Sequence, residues 1–168
     1  TLNTVNGNTS GVVNAASVTT LTGTAADVNT AYTANTAGEI SNLGDEAVTL
    51  SDTTAGAGDI KAIDLATSGA VDAATVTTLT GAAADVTAVF NSAGVANLDG
   101  DEAVTLSDTT LAAATLNTVN GDTTGVVNAA SVTTLTGTAA DVNTAYTANT
   151  AGEISNLGDE AVTLSDTT

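Results

Sequence analysis

Cysteine, histidine, proline, methionine and tryptophan are all missing from these 168 residues. Without Cys there is no disulfide, no thiolate chemistry and no Cys-based metal site. Without His or Cys the usual serine and cysteine hydrolase sets are excluded too, and no phosphate-cradling glycine motif is present. Aromatic side chains are scarce: Tyr32, Phe90 and Tyr146. Lys61 is the one base, set against 19 acids, for a formal net charge of −18. Such a chain repels nucleic acid and anionic lipid, because phosphate binding needs clustered Lys and Arg. No apolar run approaches the roughly 18 residues that would span a bilayer. These features argue against an enzyme, a nucleic-acid binder and a membrane-spanning protein.

What is present is aliphatic and small: Ala, Val, Leu and Ile with much Thr, Asn and Gly. Only 12% of residues are charged, so the composition is not that of a disordered chain. It suits a thin core filled by small side chains and repeated many times. The sequence is indeed repetitive. "VTTLTGTAADV" begins at Val18, recurs as "VTTLTGAAADV" at Val76, and returns unchanged at Val132. Residues 115–168 copy residues 1–54 with two differences, Asp122 for Asn8 and Thr124 for Ser10. A half-period of about 29 residues lies within the large repeat of 56 to 58. A-type units cover 18–46, 76–102 and 132–160; B-type units cover 47–75 and 103–131; partial units occupy 1–17 and 161–168. The chain opens on Thr, and it reads as a window cut from a longer array.

Each unit carries the same local signals. "VTTLTG" and "AVTLSD" alternate and are rich in β-branched residues, which predicts strands. "TAADVNTAYTAN" predicts a helix capped by Thr24, with Asp27 in its first turn and Val28, Ala31 and Tyr32 on one face. "LAAATLNTVNG" predicts another, with Leu116 and Val119 inward and Gly121 as its stop. "GEISNL" and "GVVNAA" predict a second short strand. A unit of this size cannot bury its own apolar side, so units must stack and equivalent strands must pair in parallel. The expected fold is an α/β solenoid, with parallel β faces and one short helix per unit of about 29 residues. The alternative is an all-β helix in which the Ala-rich runs are turns. Leu21, Leu50, Leu79, Leu106, Leu135 and Leu164 hold equivalent places, and they are expected to form one buried ladder.

Two surface features are candidate binding sites. If the leucines face inward, Thr20, Thr22, Thr49, Ser51, Thr78, Thr80, Thr105, Ser107, Thr134, Thr136, Thr163 and Ser165 face outward, because strands alternate. They would form two straight hydroxyl columns, resembling the Thr-x-Thr faces of β-solenoid ice-binding proteins. The same columns would also serve lateral packing between rods, or simply keep a sheet face wet. "NLGDE" and "NLDGDE" place Asp45, Glu46, Asp99, Asp101, Glu102, Asp159 and Glu160 beside glycine. Oxygen-rich clusters of this kind suit Ca²⁺; the bland reading is a solvated turn. The spacing is that of neither an EF-hand nor the glycine-rich nonapeptide of calcium β-rolls.

"VTTLTGTAADV", "GDEAVTLSDTT" and "LAAATLNTVNG" resemble repeats of very long secreted or cell-surface bacterial proteins, especially cyanobacterial ones of haemolysin-type or adhesin-like description. The resemblance implies an extracellular or surface location and a structural, adhesive or motility-related role. The expected function is a structural segment of an extracellular fibre, surface layer or adhesin stalk, whose partners are copies of itself, end to end and laterally. The alternative is a binding module for ice or Ca²⁺.

Overall fold

The computed structural model describes residues 1–166. In chain order it holds α1 (Leu2–Gly7), β1 (Val13–Asn14), β2 (Thr20–Gly23), α2 (Ala25–Thr36), β3 (Ile40–Ser41), β4 (Ala47–Leu50), β5 (Thr54–Gly56), α3 (Ala57–Ala66), β6 (Val71–Asp72) and β7 (Thr78–Gly81). It continues with α4 (Ala83–Phe90), β8 (Val95–Ala96), β9 (Ala103–Leu106), β10 (Thr110–Ala112), α5 (Ala113–Asp122), β11 (Val127–Asn128), β12 (Thr134–Gly137), α6 (Ala139–Ala151), β13 (Ile154–Ser155) and β14 (Ala161–Leu164). Each helix packs on the next, from α1 to α6. Every strand pairing among the described residues is parallel; most join one unit to its neighbour, while β4 with β6 and β9 with β11 pair inside one B-type unit. The result is a repeating α/β arrangement. The Ala-rich runs are helices, not turns, so the all-β alternative does not hold.

Local chemistry explains the helices. In α2 the Thr24 hydroxyl accepts the Asp27 N–H at 3.1 Å, Asp27 lies in the first turn, and Val28, Ala31 and Tyr32 are buried, as the pattern predicts. In α5 the inward residues are Ala113, Leu116 and Val119. Gly121 does not stop that helix, which runs one residue further to Asp122. One continuous hydrophobic cluster runs from Ala25 to Leu157, and a smaller one gathers Ala15, Ala31, Ala34 and Ile40.

The register departs from the expected ladder. Leu21 lies opposite Val48, not Leu50, and Leu50 lies opposite Gly23. Likewise Leu79 faces Val104, and Leu106 faces Gly81. The offset of two residues leaves every leucine on its inward face, since side-chain direction repeats every second residue. The six leucines therefore do not form one column. The inward columns are Leu21–Val48–Val71–Val95, then Ala55–Leu79–Val104–Val127–Ile154, then Leu111–Leu135–Val162. Leu50, Leu79, Leu106 and Leu135 are fully buried, Leu21 is half-buried, and Leu164 is 54% exposed.

The cause is the length of the B-type strand segment. "AVTLSDTTAG" is split: β4 pairs back with β2, while β5 pairs forward with β7. Between the halves the chain bends, and Thr75 plugs the bend by donating its hydroxyl to the Leu50 and Asp52 carbonyls at 3.1 and 2.9 Å. The other edge of β4 takes β6, the short strand after the next helix. β9 repeats this with β7 and β11. Each B-type strand is thus where a sheet passes from strands that precede helices to strands that follow them.

The burial pattern makes a direct prediction. Leu79→Ala should cost about 2–5 kcal/mol, the range for deleting a buried Leu side chain, whereas Leu164→Ala should stay within about 0.5 kcal/mol. Urea unfolding of the two variants beside the parent checks it; equal losses would contradict the inward column.

Candidate functional site: the repeated turns and the outer strand face

The three Gly-Asp-Glu turns send their two acids in opposite directions. Glu46, Glu102 and Glu160 are 1%, 2% and 9% exposed, while Asp45, Asp99, Asp101 and Asp159 face solvent. Each buried carboxylate is used by its own turn. Glu46 accepts the Gly44 N–H at 2.8 Å and the Tyr32 hydroxyl at 3.1 Å. Glu160 accepts the Gly158 N–H at 2.9 Å and the Tyr146 hydroxyl at 3.2 Å. In the middle copy Phe90 stands where the others have Tyr and has no hydroxyl to give. The longer turn "NLDGDE" supplies a second amide instead, so Glu102 accepts both Asp99 and Gly100 N–H at 2.8 and 3.1 Å. Burial raises the Tyr32 hydroxyl pKa to about 12, opposed by a hydrogen bond with Thr67 and assisted by the nearby Glu46 carboxylate. Burial and Glu160 also raise Tyr146.

The next unit closes over the first two turns. Thr67 donates its hydroxyl to the Glu46 carbonyl at 2.7 Å, and Thr123 does the same to Glu102 at 2.8 Å. Gly69 and Gly125 then lie against those carbonyls so closely that a Cβ would overlap Glu46 O or Glu102 O. Glycine is required there by the approach of neighbouring units. The pairs read in sequence as candidate Ca²⁺ ligands are therefore divided between core and solvent. Among the described residues no three acids converge as a metal site would need.

The acids seven residues beyond each turn do something the sequence reading missed. Asp52 accepts the Ala25 N–H at 2.7 Å, and Asp108 accepts the Ala83 N–H at 2.8 Å; Asp166 accepts from Ala139 in the same way. Each carboxylate caps the first turn of the helix one unit earlier, where orphan N–H groups and the helix dipole favour an anion. The signal was present in the similar separations of 27, 25 and 27 residues between helix start and acid, but only a known stacking order gives them meaning.

Polar contacts also run from helix to helix. Asn3 donates to the Asp27 carbonyl, Asn29 to the Asp59 carboxylate, Lys61 to Asp85 at 2.8 Å and Asn117 to the Asp141 carbonyl. Just after the short strands β3, β8 and β13, Asn42, Asn97 and Asn156 adopt left-handed backbone (φ 64, 63 and 63°) and reach back to Asn14, Asp72 and Asn128. Asn tolerates this conformation better than most residues. The Asn97 amide and the Ala74 N–H hold the Asp72 carboxyl below its ordinary 3.8.

The outer hydroxyls are not two straight columns. Thr20, Thr22, Thr49, Ser51, Thr105, Ser107, Thr163 and Ser165 are exposed, whereas Thr78, Thr80, Thr134 and Thr136 are half-buried. The two-residue offset places Ala47 beside Thr20, Ala103 beside Thr78 and Ala161 beside Thr134. In the second column Asp72 follows Thr49, and Asn128 follows Thr105. The expected unbroken Thr-x-Thr array is corrected to short runs separated by other residues. Comparison with protein families, curated proteins and solved structures finds no match for this chain.

Two measurements follow. α4 has Ala82 at its N-cap and no side-chain cap of its own, so it relies on Asp108. Asp108→Ala should cost about 0.5–2 kcal/mol in chemical denaturation; Asp101→Ala, on the exposed side of the turn, should cost less than about 0.5 kcal/mol. Stability should also fall at both pH extremes. Asp72, depressed, stabilises the fold above pH 3.8, and that contribution is lost as pH drops through its lower folded value. Tyr32, raised, stabilises it below pH 10.0, and that contribution is lost as pH climbs toward about 12. Melting curves of Asp72→Asn and Tyr32→Phe should show weaker acid and alkaline dependence, respectively, than the parent.

Proposed function

We propose that the chain is a structural segment of an extracellular bacterial fibre, surface layer or adhesin stalk, with its α/β units wound as a solenoid. The observation that carries this reading is that the same contacts recur along the chain: helix on helix and parallel strand on strand, with an acid capping every second helix from the unit that follows. Backbone ladders and caps running along one direction resist extension and bending, which is the property a stalk needs. Placement outside the cell rests on the resemblance of "VTTLTGTAADV" and "GDEAVTLSDTT" to repeats of long surface proteins. The acidic surface, at −18, keeps a repetitive rod soluble and disfavours haphazard side-by-side association.

The binding alternative draws less support. Ice recognition needs a regular array, and the hydroxyl runs are interrupted by Ala, Asp and Asn. Calcium binding needs convergent oxygens, and the glutamates are committed to their own turns.

Immunogold labelling of intact cells of the source organism, with antibody raised to this chain, tests the proposal. Label along surface filaments or a surface layer is expected. Label seen only after the cells are opened would overturn it.

A further inference from the structure

We propose that Asn120–Gly121 is a self-modifying pair: hydrolytic deamidation there converts an amide that bridges two units into a carboxylate that repels across the same gap. The proposal goes beyond the stalk reading and does not depend on it.

An Asn or Asp precedes glycine at Asn6–Gly7, Asp99–Gly100 and Asn120–Gly121. Glycine matters because the reaction starts when its backbone nitrogen attacks the side-chain carbonyl carbon, and it has no Cβ to obstruct that approach. At Asp99 the nitrogen is engaged, since the Gly100 N–H donates to the buried Glu102 carboxylate at 3.1 Å. Gly121 is exposed, and a Cβ added there would meet nothing within 4 Å. Units 76–102 and 132–160 flank this step, so its openness belongs to the interior of the array.

The last turn of α5 is also less secured than that of α3. In α3 the Thr67 N–H bonds the Ile63 carbonyl at 3.1 Å. Thr123 stands in the corresponding place with extended backbone, and its N–H makes no such bond. Fraying of one turn at a helix end takes little free energy, and it releases the Gly121 nitrogen.

The chemistry needs only water. The Gly121 nitrogen bonds to Asn120 Cγ, the Cγ–Nδ2 bond breaks, and ammonia leaves with the proton from Gly121. Water then opens the five-membered imide at either carbonyl. The product at 120 is an aspartate or its isomer, in which the backbone runs through the side-chain carbon.

The partner opposite decides what the change does. Asn120 Nδ2 donates to Glu153 Oε2 at 3.3 Å, from α5 to the following unit. A carboxylate at 120 has no proton to give and faces Glu153 with like charge. Asn6 stands in the same relation to Glu39, at 3.0 Å. In α3 this position is already an acid, Asp64, and there the partner in the next unit is a donor, the Ser92 hydroxyl at 2.7 Å. The isomer also lengthens the backbone just before Thr123, whose hydroxyl holds the Glu102 carbonyl at 2.8 Å. Modification therefore loosens α5 toward the unit before it and the unit after it.

The test is peptide mapping of the purified full chain, aged at neutral pH and cleaved at acidic residues. Mass spectrometry reads the conversion of amide to acid and the isomer. Asn120 and Asn6 should convert ahead of Asn117 and Asn128, which precede Thr and Ala. Gly121→Ala, whose Cβ has room and whose φ is not in the left-handed region, should slow Asn120 to the pace of those two while Asn6 proceeds as before. Asn120→Asp should melt below the parent, with the gap narrowing as salt rises. Conversion at Asn120 no faster than at Asn117 overturns the site. Conversion in Gly121→Ala at the parent's pace overturns the route through the Gly121 nitrogen, and unchanged melting of Asn120→Asp overturns the bridging role. None of these outcomes alters what the labelling experiment decides about the stalk.

Discussion

No unit in this chain is complete without its neighbour, and that constraint organises everything else. A short strand leaves one edge of N–H and C=O groups open, and a short helix leaves its first N–H groups unsatisfied. A core made of Ala, Val and Leu, one side chain deep, has no second layer of its own. The strand edges and apolar faces are met by a parallel strand and another helix, and the first amides of α2, α4 and α6 by an aspartate of the following unit. Stability is therefore a property of the interfaces more than of the units, as repeat architectures lead one to expect.

The buried glutamates show how the polar groups are managed. An isolated buried carboxylate is costly, and amide and phenol hydrogen bonds offset part of that cost, although the Glu46 Oε1 atom is buried without a partner. Glu46 and Glu160 use one glycine amide and a tyrosine hydroxyl. Glu102 lacks the tyrosine and uses a second amide from a turn one residue longer. The Phe90 copy is thus not a degraded repeat; its side-chain loss and its extra turn residue offset each other.

Much of the fold was legible from periodicity. The helix over residues 25–36, its Thr24 cap and its inward Val28 and Tyr32 follow from spacing alone, as does the parallel direction of strand pairing; the pairing of β4 with β6 and β9 with β11, which are not equivalent strands, does not. The register was not legible. Leu21 and Leu50 share a place in the alignment, yet sliding a strand by two residues keeps every side chain on its face, so alternation cannot distinguish the two registers. That slip also broke the hydroxyl columns, which depended on it. The direction of Glu46 was missed because a charged residue beside Asp and Gly reads as a wet turn. Glu46 accepts the hydroxyl of Tyr32, fourteen residues away, a partner that local sequence does not reveal. The role of Asp52 and Asp108 was missed for a similar reason: the group each one serves is in the preceding unit.

The aspartate caps all reach toward the amino-terminal side. During synthesis, a helix that has just formed waits with its first amides bare until some 25 further residues have emerged. Maturation therefore travels down the chain one step behind the ribosome. A break in the array would loosen what precedes it, because the lost aspartate belonged to the helix before.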